Sequence, residues 1–330
     1  MRRPLVSFLI LLSIATSIGL LSVSRFRLVD AGDDIREYVS IEQGKPLSEV
    51  APPYRYRVLT PLMARAVPPP PASLFVNRSD LDERVVLFRF AVVNTLGLAV
   101  AAWFLLLLME ALGFGSWQSL VGSLLFLGSF FPLFSTTLPR VDAWAYAFLA
   151  GCLWALLAGR PMVLFALFSL GIFTKETILL VPLAVMLLRQ SRKARVIQLA
   201  GLLPGLVAYF VFRVLLFPAE WPLYSVASAG KFTADLFGDP AGFVFHASRG
   251  VLAFGFVWLL AAWGWSCNRH RTDHPLMRWS WIVPVLLVVP FVLALHVGKV
   301  WAFSFPIVIP LAVWGIRDLW DDGRRTEEGR

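Results

Sequence analysis

Charge is scarce in this chain. Asp, Glu, Lys and Arg make up 15% of its 330 residues, while 58% are hydrophobic; a soluble domain carries about 25% charged residues. The deficit excludes an ordinary soluble fold and points to a bilayer protein, since several runs approach the roughly 20 apolar residues that cross a hydrocarbon core. Cysteine is nearly absent too. Cys152 and Cys267 lie far apart, in or beside apolar runs, which leaves no basis for a disulfide framework or a thiolate metal site. There is no Walker loop, dinucleotide fingerprint, HExxH or GxSxG elbow, so neither nucleotide-driven chemistry nor a soluble catalytic domain is expected. No repeat of about 20–50 residues is found, which argues against a solenoid.

What charge there is leans basic, with a formal net charge of +9. The basic residues fall in short clusters between apolar runs, as membrane loops do, and this rules against nucleic acid as a partner. Ten apolar segments can be drawn, roughly 4–24, 85–109, 118–137, 142–158, 162–174, 177–189, 197–216, 247–266, 279–296 and 301–317. The expected fold is all-α: one integral membrane domain over 1–330, a polytopic bundle of about ten helices. The first segment follows Arg2 and Arg3 and is longer than a secretory h-region, so it reads as a retained anchor. Segments five and six are short and meet at Thr174–Glu176. They are taken as two short helices, because a Lys-Glu pair at mid-bilayer is costly; a single kinked span would give nine.

With a cytoplasmic N-terminus, ten spans put the basic stretches 189–195, 268–271 and the tail 318–330 on the inside, as the positive-inside rule requires. Loops 25–84 and 217–246 then face outward. So do the polar residues that resist a bland explanation: Asp33, Asp34, Arg55, Arg57, Arg140, Asp142, Lys175, Glu176, Lys231, His296 and Lys299. In the first loop, a short helix is expected from Asp34 to Gln43, with Asp33 as its N-cap and Gly44 as its stop. An amphipathic interfacial helix is expected over Tyr54–Val67, ended by Pro68. Asn77-Arg78-Ser79 fits a glycosylation acceptor.

Each of these residues has a plain reading beside a chemical one. Asp33 and Asp34 cap a helix or meet solvent, or one of them is a general base. Arg55 and Arg57 anchor at headgroup depth beside Tyr54 and Tyr56, or offer donor forks to phosphate. Arg140 and Asp142 pair with each other, or Arg140 meets a phosphate while Asp142 supports the site or caps the next helix. Lys175 and Glu176 form a structural ion pair, or give a cation to phosphate and a carboxylate that holds a sugar or orients Arg140. His296, Lys299 and Lys231 carry less weight, and Trp221, Tyr224 and Phe232 suit either sugar stacking or an aromatic belt. No cofactor is expected, although the adjacent carboxylates offer hard oxygen ligands to a divalent cation.

The motif Gly32–Tyr38 resembles the acidic first-loop motif of GT-C type integral membrane glycosyltransferases. The junction Phe173–Thr177 is similar to that of bacterial members, and the turn Pro139–Asp142 and the stretch Tyr54–Leu59 are similar to those of bacterial relatives. The resemblance implies an enzyme of the cell inner (plasma) membrane that moves a sugar from a polyprenyl-phosphate donor to a glycan, lipid or protein acceptor. Its active site would be extracytoplasmic, with both termini inside. It assigns the catalytic base to Asp33 or Asp34 and the donor phosphate to Arg55, Arg57, Arg140 and Lys175. The reading of the chain itself adds Lys299 to the phosphate set and gives supporting places to Tyr38, Asp142, Glu176, Lys231 and His296. The rival readings are a transporter or lipid flippase and a noncatalytic subunit of an envelope glycan assembly complex.

Overall fold

The computed structural model describes residues 2–23, 33–51, 54–71, 81–216, 240–292 and 297–328. No strand occurs among them. The expected glycosylation acceptor at Asn77, the aromatic set at Trp221, Tyr224 and Phe232, and the candidate site residues Lys231 and His296 lie outside the described residues.

The helices in order are α1 (Arg2–Val23), α2 (Asp33–Glu42), α3 (Leu59–Ala66), α4 (Leu81–Ala111), α5 (Ser116–Leu127), α6 (Phe130–Thr137), α7 (Asp142–Leu157) and α8 (Pro161–Gly171). They continue with α9 (Leu180–Leu187), α10 (Arg192–Leu216), α11 (Pro240–Leu252), α12 (Val257–Asn268), α13 (Pro275–Trp279), α14 (Ile282–Val292), α15 (Val297–Ala302) and α16 (Phe305–Glu328). Two stretches, Asp82–Ala111 and Arg192–Leu215, are each long and apolar enough to cross a membrane.

Several expected segments are divided, and proline marks most of the new starts. Segment 118–137 is interrupted at Gly128-Ser129, and 247–266 falls across α11 and α12, whose break at Ala253–Phe256 holds no proline. Segment 279–296 holds the end of α13 and then α14, and α15 and α16 split the last one. Pro132, Pro182 and Pro284 are the third residues of α6, α9 and α14, and Pro306 is the second of α16. In a first turn the missing N–H has no partner to lose, whereas in mid-helix the ring clashes with the preceding turn. Pro204, Pro290 and Pro310 lie further inside α10, α14 and α16.

The chain divides into two compact units. The first comprises Met1–Phe104, Pro132–Val181 and Ala200–Leu223; the second comprises Leu105–Phe131, Pro182–Leu199 and Tyr224–Arg330. In the first unit, α4 and α7 are joined by polar groups aimed at backbone. Asn94 Nδ2, fully buried, donates to Leu138 O at 3.1 Å, and Trp144 Nε1 donates to Val93 O at 3.0 Å.

In the second unit, α12 and α16 cross at two glycines. A side chain on Gly264 would strike the Leu311 carbonyl and the Gly315 nitrogen, and one on Gly315 would strike the Leu260 carbonyl. Small residues that let helix backbones touch are characteristic of packing in apolar surroundings. The turn into α13 is fixed by His274, whose Nδ1 accepts from Leu276 N at 3.2 Å while Nε2 faces Leu112 O at 3.1 Å. A carbonyl only accepts, so the ring carries its proton on Nε2. Burial holds this imidazole below the usual histidine range, with the Arg271 charge adding to the effect.

Replacing Gly315 by Val should force the α12–α16 crossing apart. Overpacking of this kind costs about 1–3 kcal/mol, so the thermal midpoint of the purified protein should fall, whereas an exposed change such as Trp320→Tyr should leave it in place.

Candidate active site

The site is built on α2. The helix ends as expected at Gly44, whose φ of +90° suits glycine. Lys45 N donates to Ser40 O at 2.9 Å and Gly44 N to Ile41 O at 3.1 Å, the paired bonds of a Schellman stop. Its start lies at Asp33, one residue before the expected position. That puts Asp33 in the first helical turn instead of at the cap. The side chains of Asp33 and Asp34 lie outside the described set.

The buried face of α2 presents Ile35, Tyr38, Ile41 and Glu42. Tyr38 and Ile41 join Val50, Ala64, Val86, Phe90, Val93 and Val141 in one cluster, which binds α2, α3 and α4 to the turn before α7. The expected single interfacial helix over Tyr54–Val67 is two elements, a 3-10 turn at Tyr54–Tyr56 and then α3. The division matters, because Arg57 falls in the two-residue link between them. Arg55 and Tyr56 are buried, which removes the headgroup-anchor reading for that arginine.

Arg57 is the hub. Its Nε and Nη2 approach Glu176 Oε2 at 3.0 and 2.9 Å, and its Nη1 donates to the Tyr38 hydroxyl oxygen at 3.2 Å. Glu176 Oε1 accepts from the Tyr209 hydroxyl at 3.2 Å, and that hydroxyl oxygen accepts from Arg213 Nη1 at 3.4 Å. The Arg213 guanidinium lies over the Tyr56 ring, 4.1 Å from its centroid, within cation–π range. One continuous chain thus runs from α2 through the first loop and the α8–α9 junction to α10.

Beside it, Lys175 Nζ pairs with Asp142 Oδ1. Lys175 is extended, at the entry to the 3-10 turn Glu176–Leu179, and this points its side chain and that of Glu176 to different partners. Asp142 is the first residue of α7, and Val141 holds the N-cap place. Each carboxylate is held by a cation distant in sequence, in the cross pairs Lys175–Asp142 and Arg57–Glu176. The two short helices expected to meet at a polar vertex are present as α8 and α9, with that vertex between them.

Five basic side chains, Arg55, Arg57, Arg140, Lys175 and Arg213, lie on the first loop, the α7 entry, the α8–α9 junction and α10, the elements that also carry the carboxylates Asp142 and Glu176. Arg55, Arg140 and Arg213 are all buried. Positive charge gathered away from water in this way suits a site that takes an anion. Lys299 belongs to the second unit, on α15.

Burial pushes the Tyr38 phenol well above the usual tyrosine range, and the Arg57 charge beside it only partly offsets this. Tyr38 therefore stays protonated. Its oxygen accepts from Arg57, so its own proton is available to a further acceptor.

Tyr209 and Arg213 were not among the expected site residues. The signal was present: Arg213 interrupts an apolar run and Tyr209 stands four residues before it, on the same helical face.

No protein-family profile matches the chain, and no curated protein sequence matches it. Its structure is similar to the crystal structure of the Archaeoglobus fulgidus oligosaccharyltransferase in the apo form, with a TM-score of 0.55 at 11% identity. The match covers 99% of this chain and 52% of that one, so the chain spans about half the length of the archaeal protein. The likeness is one of fold.

The phenol supplies a pH test. The folded state keeps Tyr38 protonated while an unfolded tyrosine ionises near pH 10, so its contribution is complete below that pH and lost above it. Tyr38→Phe should lower stability by about 1 kcal/mol at neutral pH and remove part of the alkaline loss, as read from unfolding midpoints between about pH 8 and 11.

Proposed function

We propose that the protein is a membrane glycosyltransferase that takes a sugar from a polyprenyl-phosphate donor on the extracytoplasmic side. The observation that carries this reading is the gathering of five basic side chains, three of them buried, on the first loop, the α7 entry, the α8–α9 junction and α10. A lipid-linked phosphate is an anion of the right kind for it, with oxygens that arginine forks grip bidentately. The shared fold with an oligosaccharyltransferase supports the same reading.

In the proposed reaction, Asp33 or Asp34 removes the proton of an acceptor hydroxyl or amine. The acceptor atom attacks the anomeric carbon as the bond from that carbon to the phosphate oxygen breaks, inverting the centre. The departing polyprenyl phosphate takes the electron pair and is neutralised by Arg55, Arg57, Arg140 and Lys175, with Arg213 behind them. Fixed charges aimed at a developing anion are worth more than the same charges in water, because they need no reorganisation as the bond breaks. Tyr38 can donate its proton to a phosphate oxygen. Glu176 and Asp142 act as positioning residues that hold Arg57 and Lys175. Asp33 and Asp34 offer hard oxygen ligands that would suit a divalent cation, and such a cation would supply further positive charge for the leaving phosphate.

The test uses purified protein and radiolabelled polyprenyl-phosphate sugars with a panel of acceptors. Wild type should consume a donor. Asp33→Asn or Asp34→Asn, whichever removes the base, should lower turnover by about 10²–10⁴-fold, and Arg57→Gln should weaken use of the donor. Failure of wild type to consume any donor, or full activity in both Asn variants, would overturn the proposal.

A further inference from the structure

A second polar site lies at the other end of α2, one helical turn beyond Tyr38. It is a cleft of about 450 Å³ lined by residues that include Glu42, Arg65, Asp82, Val85, Val86 and Arg89, drawn from α2, α3 and the first turns of α4. None of these residues belongs to the chain of contacts described above.

Glu42 is the reason to look there. Its side chain is 1% exposed, and Oε1 accepts from Arg89 Nη1 at 2.6 Å. Oε2 is equally buried and has no hydrogen-bond partner among the described residues. Leaving a buried acceptor without a donor is costly, and more so when it is charged, so the group calls for a donor from the cleft it lines. Arg65 is held close by an absence: a side chain on Gly44 would stand 3.1 Å from its Nη1 and 3.2 Å from its Nη2. Its guanidinium rests against bare backbone, and no carboxylate pairs with it among the described residues.

The four charges sum to zero, Arg65 and Arg89 against Glu42 and Asp82, but they are not all spent on one another. A simple anion would meet two carboxylates, and a simple cation two guanidinium groups. A zwitterion satisfies both. A primary ammonium brings three N–H donors, one of which can answer Glu42 Oε2. Two arginine forks offer more donors than the two oxygens of a carboxylate take up, which favours phosphate as the anionic end. Val85 and Val86 supply apolar wall for a short methylene spacer.

We propose that this cleft binds a phosphoethanolamine group, a phosphate joined through two carbons to a primary amine. That chemistry occurs both in a phospholipid headgroup and in soluble phosphate esters. The proposal does not depend on glycosyl transfer, and its readout is binding alone.

Calorimetric titration of the purified full-length protein with O-phosphoethanolamine, phosphocholine and inorganic phosphate tests it. Phosphoethanolamine should bind at least about tenfold tighter than either of the others, since phosphocholine lacks N–H donors and phosphate lacks the ammonium. Glu42→Gln should remove that preference. Because Glu42 is buried and its loss could unfold the protein, Arg65→Gln carries the test independently: its side chain is exposed, and the variant should fold and lose about tenfold in affinity. Repeating the titration in nanodiscs of phosphatidylethanolamine and of phosphatidylcholine identifies the source. Competition by the first alone supports the lipid headgroup, and no competition by either supports a soluble ester. Equal affinities for the three probes, or an Arg65→Gln protein that binds as wild type does, would overturn the proposal.

Discussion

The contact between Arg57 and Glu176 joins parts of the chain separated by 119 residues. One end is in the two-residue link between a 3-10 turn and α3, and the other opens the 3-10 turn that leads into α9. Neither segment has regular structure of its own to fix it. The ion pair, the Leu59 N–H to Phe173 carbonyl bond at 3.4 Å, and the apolar cluster under Tyr38 together decide where the first loop sits. Glu176 then carries the constraint on to Tyr209 and Arg213 in α10. Taking Arg57 away would leave a partly buried carboxylate beside a tyrosine and a lysine already engaged elsewhere. The penalty of an uncompensated charge commonly exceeds the net worth of the intact pair. The contact is therefore better understood as a determinant of geometry than as a large source of stability.

Much of the architecture was legible in the sequence for simple reasons. Low charge and long apolar runs gave an all-helical chain, and the two short helices flanking Thr174–Glu176 followed from the cost of burying a Lys-Glu pair. Gly44 was legible because a helix stop needs a residue tolerant of positive φ, and the chain offers one there. The breaks within apolar runs were harder to see. Hydropathy is blind to them, and the position of Pro132, Pro182, Pro284 and Pro306 within a first turn becomes evident only when helix starts are known.

The candidate site was legible in membership more than in wiring. Tyr38, Arg55, Arg57, Arg140, Asp142, Lys175 and Glu176 lie on connected elements of one unit. The pairing was not legible, because the sequence brings only neighbouring charges together. The chain turns from extended at Lys175 into a 3-10 turn at Glu176, and each side chain finds a partner more than 30 residues away. Arg213 and Arg89 each stand as a single charge inside an apolar run, and such residues deserve as much weight as the charged clusters in loops.

The central claim is that the first loop is locked to the α8–α9 junction through Arg57 and Glu176. A double-mutant cycle on the unfolding free energy of Arg57→Ala, Glu176→Ala and the combined variant measures that link directly. The two single changes should each destabilise by on the order of 3 kcal/mol, and the double change should be little worse than either. That pattern gives a coupling energy above about 1.5 kcal/mol. Additive losses, with a coupling near zero, would contradict the account.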